Sequence, residues 1–497
     1  MIEPMNAISL PFENSYSSLP DRFFVRKAPE PVRQPTLIRL NVQLCELLGL
    51  DAEALSGDAG AQIFAGNTVP DGADPISMAY AGHQFGGWVP QLGDGRATLL
   101  GEIVGSDEIR RDIQLKGSGR THFSRGGDGR AAVGPVLREY VVSEAMNALG
   151  VPTTRALAAV TTGEDVIREG YIPGAVLTRV AQSHVRVGTF QYFAAREDVD
   201  AIRTLADYVI KRHYPDAANA DNPYRTLLSM VIERQGFLVS KWFGLGFIHG
   251  VMNTDNTSVI GETIDYGPCA FMDTYHPAKV FSSIDHMGRY AFSNQPSILQ
   301  WNLAQLAQAL LPLFNENIDE AVTIAQAEID NYPKVFEAAL AKEFRAKLGL
   351  ETEQDDDLTL ALDLLECMSE NEADFTNTFR HLADLITDKG DDALAKTQFK
   401  KPSDFDDWVS RWKTRLEQEA RSLSACADAM RQKNPAVIPR NHLVEAAIRA
   451  AEDQGDFSTF HDLVEEVIDP YRSREPGSHY VSPPKPDEIV HQTFCGT

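Results

Sequence analysis

The sequence predicts an α+β chain in two lobes, rich in strands first and helical afterwards. Three observations carry that expectation. Between residues 76 and 195, short apolar and β-branched segments alternate with turns rich in Gly and Arg. From Asp200 to about residue 470, apolar residues fall at helical spacing. Near the change of pattern lies HGVMNTDNTSVIGETIDYG, residues 249–267, where Asp255, Asn256 and Asp265 gather oxygen-bearing side chains. A strand and tight turn over TSVIGET would form a hairpin joining Asn256 to Asp265, a natural way to hold a hard divalent cation.

Composition limits the function classes. The 497 residues suffice for two or three domains and a large core. A net charge of −25 argues against non-specific nucleic-acid binding. One island opposes that charge: Arg110 to Arg138 hold seven basic residues against Asp112 and Asp128, which suggests a site for an anion. The five cysteines, Cys45, Cys269, Cys367, Cys426 and Cys495, are scattered and odd in number, without a CxxC pair. That pattern argues against a zinc site or a disulfide scaffold and for a reducing compartment. Cys495, third from the end, is a thiol placed to act as a redox handle. No apolar run has the length of a transmembrane helix, and the first residues lack the basic and apolar regions of a secretory signal. The expectation is a cytoplasmic monomer with no membrane or nucleic-acid partner.

Residues 1–75 read as an N-terminal extension with one helix, Leu37 to Leu48, stopped by Gly49. LGDGR is a tight turn leading into a strand, Ala97 to Val104. DIQLK alternates, so Lys116 lies on the polar face of a half-buried strand. A second loop rich in Gly and Arg follows, with Gly117, Gly119, Gly126, Gly127 and Gly129 able to bring backbone N–H groups close to an anion. Pro135 opens a helix that Gly150 ends, with Glu139 off its apolar stripe and able to pair with Lys116. Short strands follow, and Arg179 and Arg186 are spaced to clamp a phosphate by their forked donors.

Helices are expected at Ala201 to Arg212 and Tyr224 to Phe243, then a loop beyond Gly267 shaping an entrance. Beyond it come Ile298 to Leu311, Ile318 to Leu348, Leu358 to Cys367, Phe375 to Asp388, Phe405 to Arg431 and His442 to Asp453. Pro312 should stop the first of these and Pro333 should break or kink the second. The acidic turn DKGDD, residues 388–392, separates later ones, and a Pro-rich segment closes the chain in extended form.

The order of parts is a Gly loop, a strand Lys, a helix Glu, a His-x-x…Asn loop and an Asp-x-Gly triplet. That is the order in a protein kinase-like bilobal fold. Residues 76–195 would be its N-lobe, 196–300 its C-lobe with the catalytic loop, and 301–497 a helical C-terminal region. One departure matters. Small-molecule phosphotransferases of this kind carry H-G-D-x-x-x-x-N, and here Val251 stands where the Asp belongs. Valine accepts no proton, so by that rule the chain is a pseudokinase, while Asp255 offers a carboxylate directly before Asn256.

The segments GHQFGGWVPQLGDGRATLLGE, DIQLKGSGRTHFSRGGDGRAAVGPVLREY and HGVMNTDNTSVIGETIDYGPCAFMD closely resemble the selenoprotein O family (SelO, also YdiU). The resemblance spans roughly residues 75 to 300, and the length and the Cys-bearing tail fit it. It implies a pseudokinase fold that binds ATP flipped and transfers AMP to Ser, Thr or Tyr hydroxyls of protein substrates. Carried over by motif, Gly93, Gly95 and Arg96 would contact the nucleotide, and Lys116 a phosphate, steadied by Glu139. Asp128 and Gly129 would hold the flipped nucleotide, and Arg179 and Arg186 its phosphates. Asn256 and Asp265 would bind Mg²⁺ or Mn²⁺, with Asp265 also at the nucleotide, and Asp255 would be the general base. The resemblance further implies a redox role for Cys495, with Cys269 the candidate partner nearest the site by sequence. Alternatives are a non-catalytic ATP-binding sensor, Mn-dependent UMP transfer from UTP, and a phosphotransferase of the aminoglycoside-kinase type, against which Val251 counts.

Overall fold

The computed structural model describes residues 9–387, 392–475 and 477–494. Its strands begin with β1 (Phe24–Arg26), β2 (Thr36–Leu40) and β3 (Ile76–Met78), then a small hairpin of β4 (Gly82–Gln84) and β5 (Gly87–Val89). β6 (Ala97–Val104), β7 (Arg110–Lys116), β8 (Ala131–Ala132), β9 (Arg155–Ile167) and β10 (Tyr171–Ala181) follow. All of these but β4 and β5 form one eight-stranded sheet in the order β1-β3-β6-β7-β10-β9-β2, with β8 beside β10. Residues before 76 thus supply strands to the sheet rather than only lying on it.

The helix expected over Leu37 to Leu48 is half strand. Thr36–Leu40 pairs with β9, and only α1 (Val42–Leu47) is helical, capped by Asn41, whose side chain accepts from the Leu44 N–H. Pairing with β9 outweighs helical spacing there. Two short helices, α2 (Ala52–Leu55) and α3 (Asp58–Phe64), precede β3. Ala97–Val104 is a strand as expected, and Lys116 is the last residue of β7. The several short strands expected after residue 150 are instead two long ones, β9 and β10, joined by a tight connection.

The helix bearing Glu139 is α4 (Val133–Ala148), which starts ahead of Pro135 because a proline in the first turn forfeits no helical hydrogen bond. α5 (Val187–Ala194), α6 (Val199–His213) and α7 (Pro223–Leu245) begin the helical lobe, followed by the two-residue strands β11 (Phe247–Ile248) and β12 (Ala270–Phe271). Beyond the loop come α8 (Gln295–Phe314) and α9 (Ile318–Lys347).

Pro312 does not stop its helix, and Pro333 does not break the one it lies in. α8 runs through Pro312 to Phe314, and α9 is continuous for 30 residues across Pro333. Proline at 333 leaves the Ile329 carbonyl without its helical donor. The Gln300 side chain on α8 replaces it, donating Nε2–H to that oxygen at 3.2 Å.

The remaining helices are α10 (Asp357–Asn371), α11 (Phe375–Leu382), α12 (Asp392–Lys396), α13 (Pro402–Leu416), α14 (Leu423–Lys433), α15 (Asn441–Gln454) and α16 (Ser458–Val467). α11 passes at Leu382 into a 3₁₀ helix over Ala383–Ile386, close to the expected end at Asp388, and most of the acidic turn after it lies outside the described residues. The expected helix from Phe405 to Arg431 is broken in two, with the second part capped by the Ser422 hydroxyl, which accepts from the Ala425 N–H. The largest apolar core fills the space among α5 to α9. A second core surrounds Trp408 and Trp412 on α13. A third joins α4 to α15 and α16, through Leu137, Val141, Val444, Ala447, Phe460 and Val464. The chain's end thereby packs on the helix that carries Glu139.

Candidate active site

A cleft of about 560 Å³ separates the sheet from the helical lobe, and the residues singled out by motif converge on it. β7 and β10 are antiparallel neighbours, with Lys116 opposite Leu177 and Gln114 opposite Arg179, so Lys116 and Arg179 leave the same face. Glu139 reaches them from α4. Lys116 Nζ lies 2.5 Å from Glu139 Oε2, and Arg179 Nε donates to Glu139 Oε1 at 2.7 Å. Arg179 also donates to Asp265 Oδ1 at 2.7 Å, and Lys116 Nζ stands 3.6 Å from the same oxygen. Arg186 caps α5 and donates through one nitrogen to Asp265 Oδ2 at 2.9 Å and to the Asp255 carbonyl at 2.8 Å. Its guanidinium lies 4.5 Å from the centre of the Tyr80 ring.

Three cations thus surround one buried carboxylate, Glu139, and one half-buried, Asp265. Burial alone would push Glu139 and Asp265 up. The Arg179 and Lys116 charges hold Glu139 below the usual carboxylate range, and Arg179, Arg186 and Lys116 hold Asp265 well below it. Burial draws the Lys116 ammonium down from its usual value, opposed by Glu139. Asp94 Oδ1 stands 3.9 Å from Arg186 as a third carboxylate, so the three cations carry no net excess, and it is their donors gathered at one cleft that suit a phosphate.

The hairpin expected over TSVIGET does not form. Ser258 bridges to Arg186 and Thr263 to Thr153, each a different segment, with a turn between them. Neighbouring backbone takes the span's hydrogen bonds instead: the Thr154 N–H donates to the Thr263 carbonyl at 3.0 Å, and the Val187 N–H to the Thr257 carbonyl at 2.9 Å. The turn nevertheless delivers Asn256 and Asp265 to the one cleft. Asp265 adopts a left-handed φ of 62°, uncommon for a non-glycine residue. His249 ties this turn to the segment before Asn256: its Nε2–H donates to the Ile264 carbonyl at 2.9 Å, and burial draws the ring below its usual value.

Asp255 is 7% exposed. Its Oδ2 accepts from Gln84 Nε2 at 3.2 Å, and its Oδ1 has no hydrogen-bond partner. Burial pushes the carboxyl up to about 6, against the pull of Arg186 and Gln84. Val251, at the position a phosphotransferase would fill with its base, is buried and apolar. Asn256 commits its Nδ2 to the Val251 carbonyl at 3.0 Å, which leaves its oxygen as the free end. Among the described residues no group of three or more His, Cys, Asp or Glu is arranged to hold a metal ion. Asn256 offers one free amide oxygen, but both Asp265 oxygens already accept from Arg179 and Arg186, so a hard cation there would have to share them with two guanidinium groups and take its other ligands from phosphate and water.

Each Gly loop holds a glycine packed too tightly for a side chain. Gly93 has φ of 70°, and a Cβ there would stand 2.2 Å from the Phe123 ring. Gly129 has φ of 68°, with the Gly119 carbonyl 2.1 Å from where a Cβ would be. Gly95 and Arg96 also face the cleft. Asp128 lines it too, but its carboxylate is engaged by Arg168, which donates to both oxygens at 2.8 and 3.2 Å. Sequence reasoning missed Arg168, Tyr80 and Gln84, all of which line the cleft. Arg168 lies at the β9–β10 connection, and nothing local marks it as facing residues 128–130.

Cys269 is fully buried, and burial pushes its thiol up to about 12. Cys495 lies outside the described residues. The segment before it returns to this region, since Thr493 Oγ1 donates to the Pro268 carbonyl at 2.6 Å.

The family model described as protein adenylyltransferase SelO matches residues 6–468. The chain belongs to the SelO family. Named relatives of similar length agree. A protein nucleotidyltransferase YdiU of Bradyrhizobium diazoefficiens is 59% identical over 490 residues, covering 99% of this chain and 100% of the relative. Proteins of the same name from Rhodopseudomonas palustris and Rhizobium etli are each 58% identical, covering 99% and 98% of this chain and 100% and 97% of their own. Membership makes the chain a nucleotidyltransferase enzyme. No helix among the described residues is long and apolar enough to cross a membrane.

Proposed function

We propose that this SelO-family chain has a kinase-like fold and moves AMP from ATP onto Ser, Thr or Tyr hydroxyls of other proteins. The observation that carries the reading is the exchange of bases: apolar Val251 at the phosphotransferase position, and Asp255 in the same cleft with one oxygen unpartnered. A carboxyl raised to about 6 suits a general base, because it still takes a proton readily near neutrality. The acceptor O–H gives its proton to Asp255 as its oxygen bonds to the α-phosphorus. The bond from that phosphorus to the bridging oxygen breaks, and pyrophosphate leaves with the electron pair. Lys116, Arg179 and Arg186 would stabilise the charge gathered on the leaving group. Asn256 and Asp265 would hold Mg²⁺ or Mn²⁺, which when bound supplies further charge neutralisation on the phosphates.

The test uses ATP labelled at the α or the γ phosphate, with Mg²⁺ or Mn²⁺ and a cell extract as acceptor. Label entering protein only from the α position supports the reading. Label from γ alone, ATP binding without labelling, or labelling only from UTP would replace it by phosphate transfer, a nucleotide sensor or UMP transfer respectively.

A further inference from the structure

The β4–β5 hairpin interrupts the path from β3 to the LGDGR turn and reaches across to the catalytic loop. Its backbone is anchored there twice. The His83 N–H donates to Thr254 Oγ1 at 2.7 Å, and the Phe85 N–H to Asn253 Oδ1 at 3.0 Å. Asn253 Oδ1 is fixed in turn by the Tyr290 hydroxyl at 2.6 Å. The two turn residues, Phe85 and Gly86, have φ of 52° and 84°, the left-handed pair that a two-residue hairpin requires. Between these anchors the Gln84 side chain meets Asp255 Oδ2. Gly82 opens the hairpin, and a Cβ there would come within 2.7 Å of Asp255 Oδ1 and 3.0 Å of the Asp255 Cβ. The Asp255 side chain therefore lies directly against hairpin backbone, and one donor fixes how its carboxylate is turned.

We infer that Gln84 is a positioning residue for Asp255: its amide sets the rotation of the carboxylate, Gly82 makes the room for it, and the anchored hairpin holds both in place. The inference rests on the proposed role of Asp255 as proton acceptor. Gln84 touches neither proton nor phosphorus in this scheme. It acts by holding the carboxylate in one rotation, with Oδ1 enclosed against Gly82 and Oδ2 accepting from the Gln84 amide with a second lone pair to spare. A hydrogen bond to a charged group strengthens such orientation more than a neutral pair would.

The experiment compares four full-length proteins, the wild type, Gln84→Met, Asp255→Asn and the double variant, in steady-state transfer of α-labelled AMP. Methionine keeps the length of glutamine and removes the donor. The expected result is a fall of roughly 10- to 100-fold in kcat for Gln84→Met, the size of a lost hydrogen bond to a charged group. KM for ATP and the melting temperature should stay at wild-type values. The double variant should be no slower than Asp255→Asn alone, since two residues acting through one carboxylate do not multiply. Should Gln84→Met fail to fold, Gln84→Ala takes its place. Unchanged kcat, a loss explained by a raised KM or lowered melting temperature, or multiplicative effects in the double variant would each overturn the inference. A wild type that transfers no AMP overturns the functional reading along with it, whereas an active wild type matched by Gln84→Met overturns this inference alone.

Discussion

Val251 and Asp255 sit four positions apart in one loop, and only the second carries a group that can take a proton. Asp255→Asn should lower AMP transfer by roughly 10²- to 10⁴-fold, the usual contribution of a general base, while ATP binding persists. Label transfer and calorimetric titration of ATP measure the two separately. A second buried carboxyl gives a test of pH dependence. Glu262 is 7% exposed, and burial pushes it up to about 8. A carboxyl raised by folding stabilises the fold fully below its unfolded value near 4.5, and that contribution is lost as pH rises through about 8. Glu262→Gln should therefore match the wild type near pH 5 and exceed it in stability above pH 8, by a few kcal/mol at most. Melting temperatures across that range decide it; a constant difference would refute it. Among single residues, those of the motifs were legible because each stands in a short run of fixed spacing. Gln84 and Arg168 were not, because their partners Asp255 and Asp128 lie 171 and 40 residues away.

At the scale of elements, the sequence named β6, β7 and α4 through alternation, turn glycines and a proline start. It misjudged elements whose fate depends on a neighbour. Residues 36–40 pair with β9 because a sheet edge is there to receive them. α9 survives Pro333 because Gln300 on α8 supplies the donor that the ring lacks. Periodicity within one segment reveals neither partner. Gln300→Leu removes that donor and leaves the Ile329 carbonyl without it. The loss should be about 1 kcal/mol, seen as a lower melting temperature with unchanged kcat. A melting temperature equal to that of the wild type would mean that the carbonyl finds another donor at no cost. The 249–267 stretch shows the same limit from the other side: Asn256 and Asp265 do line one cleft, but the hairpin meant to join them gives way to bridges with Arg186 and Thr153.

Over the whole molecule, two lobes were expected from the change in periodicity, and a sheet followed by a helical region is what forms. The return of the chain's end was not legible. Thirteen of the 16 residues of α4 are buried, so it is covered on more sides than the one stripe its sequence suggests. α15 and α16 supply the extra cover. Arg138 donates to Asn441 Oδ1 at 2.8 Å and pairs with Glu445, and the Tyr140 and Phe460 rings lie 5.5 Å apart. A chain ending at Lys433 keeps all the motif residues singled out around the cleft and exposes the apolar flank of the helix that carries Glu139. It should bind ATP far more weakly than the full chain, or fail to stay in solution, by calorimetry and gel filtration. Equal affinity in the shortened chain would show that α4 stands without this cover. The same packing bears on synthesis. A ribosome makes α15 and α16, residues 441–467, after the motif residues around the cleft, so the helix that steadies Lys116 stays uncovered while those motifs are already translated. The proposed transfer would then wait on the translation of α15 and α16.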